Sequence, residues 1–160
     1  MPATRPARRL GTVTALAAVI LLIGVTGPAD ADKPGHRVVT TPDAPAAIGP
    51  YSQAIAAGQT LYVSGQLPLD PRTGAMDGAD ITTQTRRSLT NIDAILEANN
   101  MTRSNVVSTT VFLADLDDFA AFNAAYAEYF GTTAAPARAT VQAARIPRDA
   151  RVEIAAIAVR

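Results

Sequence analysis

The stretch PARATVQAARIP, residues 136 to 147, places Arg138 where a β-strand should begin, among Ala, Thr and Val side chains. A guanidinium in that setting is either a charge on the rim of a sheet or the holder of something anionic. Glu153 raises a similar question. It lies at the start of RVEIAAIAV, a segment whose two alternating sets of side chains are both apolar. A strand apolar on both faces is buried on both. A carboxylate at its start is then desolvated or paired, because burying an unpaired charge is costly. The structural alternatives are a solvated strand end or an ion pair with Arg145 or Arg151. Tyr51, directly after Gly49-Pro50, is either a core ring or a hydroxyl facing a site.

The missing residue types narrow the chemistry. There is no cysteine among the 160 residues, so thiol nucleophiles, disulfides and cysteine metal sites are excluded. The single histidine, His36, stands in the polar segment DKPGHRVV, where an imidazole is more often solvated than catalytic. Neither a histidine-rich metal site nor a Ser-His-acid triad can be assembled from it. The single lysine, Lys33, lies in the same segment, which disfavours a Schiff-base lysine in a packed pocket. Glycine-rich nucleotide-binding loops are absent from the sequence. Arg, carboxylates, Tyr, Ser/Thr, backbone amides and water remain.

The N-terminus reads as an export signal. Arg5, Arg8 and Arg9 precede an uncharged apolar run, GTVTALAAVILLIGVTG, and then the small-x-small triplet Ala29 to Ala31. The expected organisation is a signal peptide at 1–31 and one domain at 32–160, exported to a periplasm or the exterior. Arg8-Arg9 is a weak twin-arginine hint, and the export route stays open. Without the leader the chain carries 11 basic and 13 acidic residues, a net charge near −2. That balance has no footprint for nucleic acid.

The elements that must position Arg138, Glu153 and Tyr51 follow from periodicity. Residues 41–51, rich in proline, predict an ordered loop, with Ile48 and Tyr51 as its buried side chains. SQAIAAG and QTLYVSGQLPL predict a hairpin turning at Gly58-Gln59. DPRTGAM predicts a turn with Gly74 at a positive φ. A helix should follow Asp80 as N-cap, bury Ile81, Leu89, Ile92, Ile95 and Leu96, and end at Asn99-Asn100. VVSTTVFLAD predicts a buried strand. A second helix, capped by Asp117 or Asp118, should bury Phe119, Phe122, Tyr126, Tyr129 and Phe130 and stop at Gly131. Two last strands surround the turn PRDA. The order β-β-α-β-α-β-β predicts an α+β fold, with two helices on one face of a mixed sheet. The second sheet face then needs another cover, which points to a homo-oligomer.

Four segments together resemble one family, the RidA (YjgF, L-PSP) proteins. They are AIGPYSQAI at 47–55, LYVSGQLPLDPRTG at 61–74, FLADLDDFAAFNAAYAEYF at 112–130, and PARATVQAARIPRDARVEIAAIAV at 136–159. The last is similar to the family's signature region. The resemblance covers nearly all of residues 36–160. It implies a chorismate-mutase-like fold, a homotrimer whose sheets form a central barrel, and sites in the clefts between subunits. It implies hydrolysis of reactive 2-imino or enamine acids, such as 2-aminoacrylate and 2-iminobutyrate, to 2-keto acids and ammonia, without metal or organic cofactor.

The resemblance also carries residue roles. Arg138 matches the arginine that binds the substrate carboxylate, a task suited to a guanidinium fork. Glu153 matches the acid that positions water and moves protons. Tyr51, Ser64 and Gly65 match pocket-lining positions, and Asn123 matches an asparagine near the cleft. Thr140 stands where close relatives often carry Cys, so a backbone contact there would survive and a thiol role would not. The leader is the larger departure, because most members act in the cytoplasm. Two further readings compete with a deaminase: a small-molecule binder on the same trimer, and RNA cleavage, which the acidic charge disfavours. A general chaperone-like role is a fourth, on which the residues are silent.

Overall fold

The computed structural model describes residues 35–160. The expected leader, its cleavage triplet and Lys33 lie outside the described residues. Within them, β1 (His36–Val39), β2 (Ala54–Ala57), β3 (Thr60–Gln66), α1 (Ile81–Glu97), β4 (Val106–Leu113), α2 (Phe119–Phe130), β5 (Ala137–Gln142) and β6 (Val152–Val159) follow in order. The six strands form one sheet in the order β1-β2-β3-β6-β4-β5. Among the described strands only the β4–β5 pair is parallel.

Local chemistry explains the helix ends. The Asp80 carboxylate accepts from the Thr83 backbone amide at 2.9 Å and from the Thr83 hydroxyl at 2.8 Å. It thus caps α1 by satisfying amides that have no partner inside the helix. Asn100 (φ 52°) takes a positive φ beyond α1, and Gly131 (φ 53°, ψ −119°), in a conformation that favours glycine, ends α2. All five predicted apolar positions of α1 are buried. The cap of α2 differs from expectation. Asp115 accepts from the Asp117 amide and caps a short 3-10 turn, Leu116–Asp118. Asp118 makes no cap bond and instead accepts two hydrogen bonds from Arg151.

The helices cover one face of the sheet. Leu61, Val63, Val111, Leu113, Val152, Ile154, Ala156 and Ala158 pack there against Leu89, Ile92, Ile95, Leu96, Phe122 and Phe130. Each fully buried large side chain contributes roughly 1.5–3 kcal/mol. The opposite face has no cover among the described residues. Val38, Ile55, Tyr62 and Ile157 form one row across four strands, and Tyr62 is 50% exposed. The sheet is therefore built for two covers and holds one.

The structure adds features that the sequence does not announce and corrects other expectations. Val38-Val39 belongs to a strand, β1, which two apolar residues in a polar context do not announce. It exists because β2 offers it an edge to pair with. The last two strands are not neighbours. β6 inserts between β3 and β4, while β5 pairs with the far side of β4. The 41–51 loop does not bury Ile48 or Tyr51, which are 60% and 48% exposed. Gln53 holds that loop instead. Its buried amide donates to Thr41, Ala44 and Pro45 carbonyls and accepts from the Thr41 amide. Within α2, Phe119 is 39% exposed and Tyr129 only partly buried, whereas Phe122, Tyr126 and Phe130 are buried as predicted.

Candidate active site

Glu153 sits on the uncovered sheet face. It pairs in register with Phe112 of β4, and Phe112 with Val141 of β5. Beside it the β3–β6 register slips: Val63 faces Ala156, but Gln66 faces Ile154. One extra residue is accommodated at Ser64-Gly65, a β-bulge, which re-aims side chains and ends regular pairing. The bulge makes room for the carboxylate. A Cβ on Gly65 would lie 1.9 Å from Glu153 Oε1, so only glycine fits beneath it.

Around Glu153 a cleft of about 400 Å³ is lined by Ile48, Tyr51, Ser64, Gly65, Leu67 and Pro147. Among the described residues, neither suspected cation pairs with this carboxylate. Arg145 pairs with Asp149 at 2.8 Å, and Arg151 with Asp118 at 2.8 Å. Burial pushes the Glu153 carboxyl above its ordinary value, because desolvation disfavours the charged form. The neighbouring hydroxyls are oriented. Ser64 Oγ donates to the Ser52 carbonyl at 2.7 Å, which leaves its lone pairs to accept. Tyr51 Oη accepts from the Ile48 amide at 3.3 Å, which leaves its proton to donate.

Arg138 occupies the other face. Its partner in β4 is Thr109, which is in register with Ala156 on the helix side. The exposed guanidinium lies against α2, and its Nη2 donates to Asn123 Oδ1 at 2.7 Å. Its central carbon is 4.6 Å from the Tyr126 ring centre, 5.2 Å from Phe122 and 5.8 Å from Phe119. Arg138 and Asn123 line a second cleft of about 570 Å³ with Tyr126, Phe130, Thr133 and Pro136. Of the guanidinium's donors, Asn123 takes one and leaves a fork for an incoming anion.

The predicted residues therefore fall into two groups. Tyr51, Ser64, Gly65 and Glu153 meet in the first cleft, and Asn123 and Arg138 in the second. Within one chain the two groups stand on opposite faces of the sheet. Thr140, one step along the same face from Arg138, lines neither cleft. Among the described residues its hydroxyl is buried without a hydrogen-bond partner. Sequence reading missed Ile48, Leu67 and Pro147 as cleft walls, and the aromatic bed of Arg138. Pro147, at the head of the PRDA turn, was the one of these with a visible signal.

Three comparisons bear on the chain. The family model described as endoribonuclease L-PSP matches residues 41–160. A RutC family protein of Pyrococcus horikoshii is 51% identical over 122 residues, covering 76% of this chain and 96% of its own. A protein of Salmonella typhimurium named 2-iminobutanoate/2-iminopropanoate deaminase is 48% identical over 126 residues, covering 78% and 98%. The solved structure of Escherichia coli TdcF with bound serine superimposes with a TM-score of 0.75 at 42% identity, covering 78% of this chain and 98% of that one.

Proposed function

Because this chain belongs to the RidA (YjgF, L-PSP) family, we propose that it hydrolyses small 2-imino or enamine acids to 2-keto acids and ammonia. The observation that carries the reading is the Glu153 carboxylate: half-buried, raised in pKa, unpaired among the described residues, and seated over Gly65 in an apolar cleft. Burial raises its proton affinity above that of a solvated carboxylate, which suits it to accept and return a proton. Deaminase names among relatives at this identity, and a relative solved with bound serine, support a small amino-acid-like ligand.

The roles follow from donor and acceptor geometry. Arg138 grips the substrate carboxylate through the part of its fork that Asn123 leaves free. Glu153 takes a proton from water as the water oxygen bonds to the imine carbon. From the N-protonated imine this gives a neutral carbinolamine, which receives that proton on nitrogen; as the C–N bond breaks, its hydroxyl proton passes to Glu153, and ammonia leaves a 2-keto acid. An enamine first takes a proton at its terminal carbon. Ser64 Oγ can accept from the protonated nitrogen, and the Tyr51 hydroxyl can donate to the developing oxygen. The hydrolysis asks mainly for orientation and proton movement, which a rigid pocket supplies.

One chain does not bring Arg138 to Glu153. We place the complete site between subunits of a homotrimer, whose assembly covers the exposed face around Tyr62 and Ile157. No role is assigned to Thr140 beyond its place next to Arg138. Export of residues 32–160 is part of the proposal, and N-terminal sequencing of the protein recovered from a periplasmic fraction tests it.

The direct test is release of 2-oxobutyrate from 2-iminobutyrate generated in situ by an L-amino-acid oxidase. The wild-type protein should accelerate it, and Arg138→Ala should reduce kcat/KM by roughly a hundredfold or more while staying folded. Ligand binding without acceleration would instead favour a binding module.

A further inference from the structure

From the bed on which Arg138 lies we infer that Tyr126, pinned by Thr109, is a positioning residue that fixes the Arg138 guanidinium for carboxylate capture. This rests on the reading of Arg138 as the carboxylate holder.

Three features converge. Tyr126 lies one helical turn beyond Phe122 and Asn123, so α2 presents an aromatic ring, an amide and a second ring in a single stripe beneath the edge strand β5. The guanidinium carbon stands nearest to the Tyr126 ring, at 4.6 Å. The ring itself cannot drift. Its hydroxyl shares a buried 2.7 Å hydrogen bond with Thr109 Oγ1, and Thr109 is the strand partner of Arg138 in the β4–β5 ladder. Tyr126 and Thr109 are 5% and 3% exposed. Strand, helix and guanidinium are thus closed into one circuit: Arg138 beside Thr109, Thr109 to Tyr126, Tyr126 under Arg138.

The physical consequence concerns entropy and aim. An exposed arginine has many rotamers and must surrender them on binding an anion. The ring faces attract the cation electrostatically, and Asn123 fixes its rotation about the long axis through Nη2. The fork is thereby set before substrate arrives. Burial holds the Tyr126 phenol above its ordinary value, with the Thr109 bond and the Arg138 charge opposing. It therefore stays neutral and keeps its hydrogen bond.

The test is steady-state kinetics with 2-iminobutyrate on Tyr126→Phe, Tyr126→Leu and Thr109→Val, beside wild type and Arg138→Lys. Tyr126→Leu should raise KM by about tenfold with kcat changed less than about twofold. Tyr126→Phe keeps the ring and should recover most of that loss. Thr109→Val should resemble Tyr126→Phe. In an Arg138→Lys background Tyr126→Leu should add little, because the planar fork it positions is already gone. An unchanged KM in folded Tyr126→Leu overturns the inference, and so does a full, additive effect in the Arg138→Lys background. If Tyr126→Leu does not fold, the KM comparison passes to Phe119→Leu, whose partly exposed ring also underlies the guanidinium. There a KM rise of a few fold supports the inference, and no change overturns it. If Arg138→Lys and Arg138→Ala turn over normally, the underlying reading fails first, and the two failures are thereby told apart.

Discussion

At the scale of single residues, Glu153 and Gly65 are one unit. The raised folded-state pKa of Glu153 fixes the sign of its effect on stability. Its contribution is fully present below the unfolded value and is lost as pH rises through the folded one. At pH 7 the ionised carboxylate therefore costs stability. Glu153→Gln should raise the unfolding midpoint at pH 7, and its advantage should vanish below about pH 4. The same substitution should lower kcat by roughly 10²- to 10⁴-fold and disturb ligand binding far less. Equal loss of both would mark the residue as structural. Gly65→Ala should act differently. The new methyl can be accommodated only if the Glu153 carboxylate swings away, since the atom it meets first is the end of a flexible side chain. The variant should fold, by circular dichroism and thermal melting, and lose most of its turnover.

At the scale of elements, capping and loop anchoring can be separated from catalysis. Asp80→Ala should lower the thermal midpoint by about 2–4 °C and leave kcat/KM unchanged, because α1 lies away from both clefts. Gln53→Ala removes the hub of the 41–53 loop. Several buried carbonyls lose their donor, at a cost of about 2 kcal/mol or more. Hydrogen exchange should then speed up across residues 41–52, and turnover should fall because Ile48 and Tyr51 wall the Glu153 cleft.

The elements were legible where a periodic pattern meets a terminal signal. The apolar face of α1 with Asp80 and Asn100 is one case, and Gly74 in its turn is another. They were not legible where pairing partners decide. β1 exists only because β2 lies beside it, and the place of β6 between β3 and β4 is a tertiary fact. Ile48 and Tyr51 misled because an apolar side chain in a loop reads as buried, whether it faces a core or a cleft. Most residues of the two clefts were legible through resemblance to a family, but Thr140 lines neither cleft and the walls Ile48, Leu67 and Pro147 were not foreseen. The site's division between two faces required the strand register.

At the scale of the whole molecule, the uncovered face and the divided site are two aspects of one arrangement. A sheet with Tyr62, Val107, Val141 and Ile157 exposed on one side presents an apolar surface that a second subunit would remove from water. Tyr62→Lys should reduce the assembly to monomers in analytical ultracentrifugation. It should also abolish turnover, although Tyr62 lines neither cleft.

We propose that Arg138 of one subunit and Glu153 of another act on the same substrate molecule. The most direct measurement is complementation. Arg138→Ala and Glu153→Gln, each inactive alone, are unfolded, mixed in equal amounts, refolded together and assayed for 2-oxobutyrate release. Random assembly should leave one site in four with both native groups, so roughly a quarter of the wild-type rate should return. If the mixture stays inactive while folded and assembled, the two residues do not share a site across an interface.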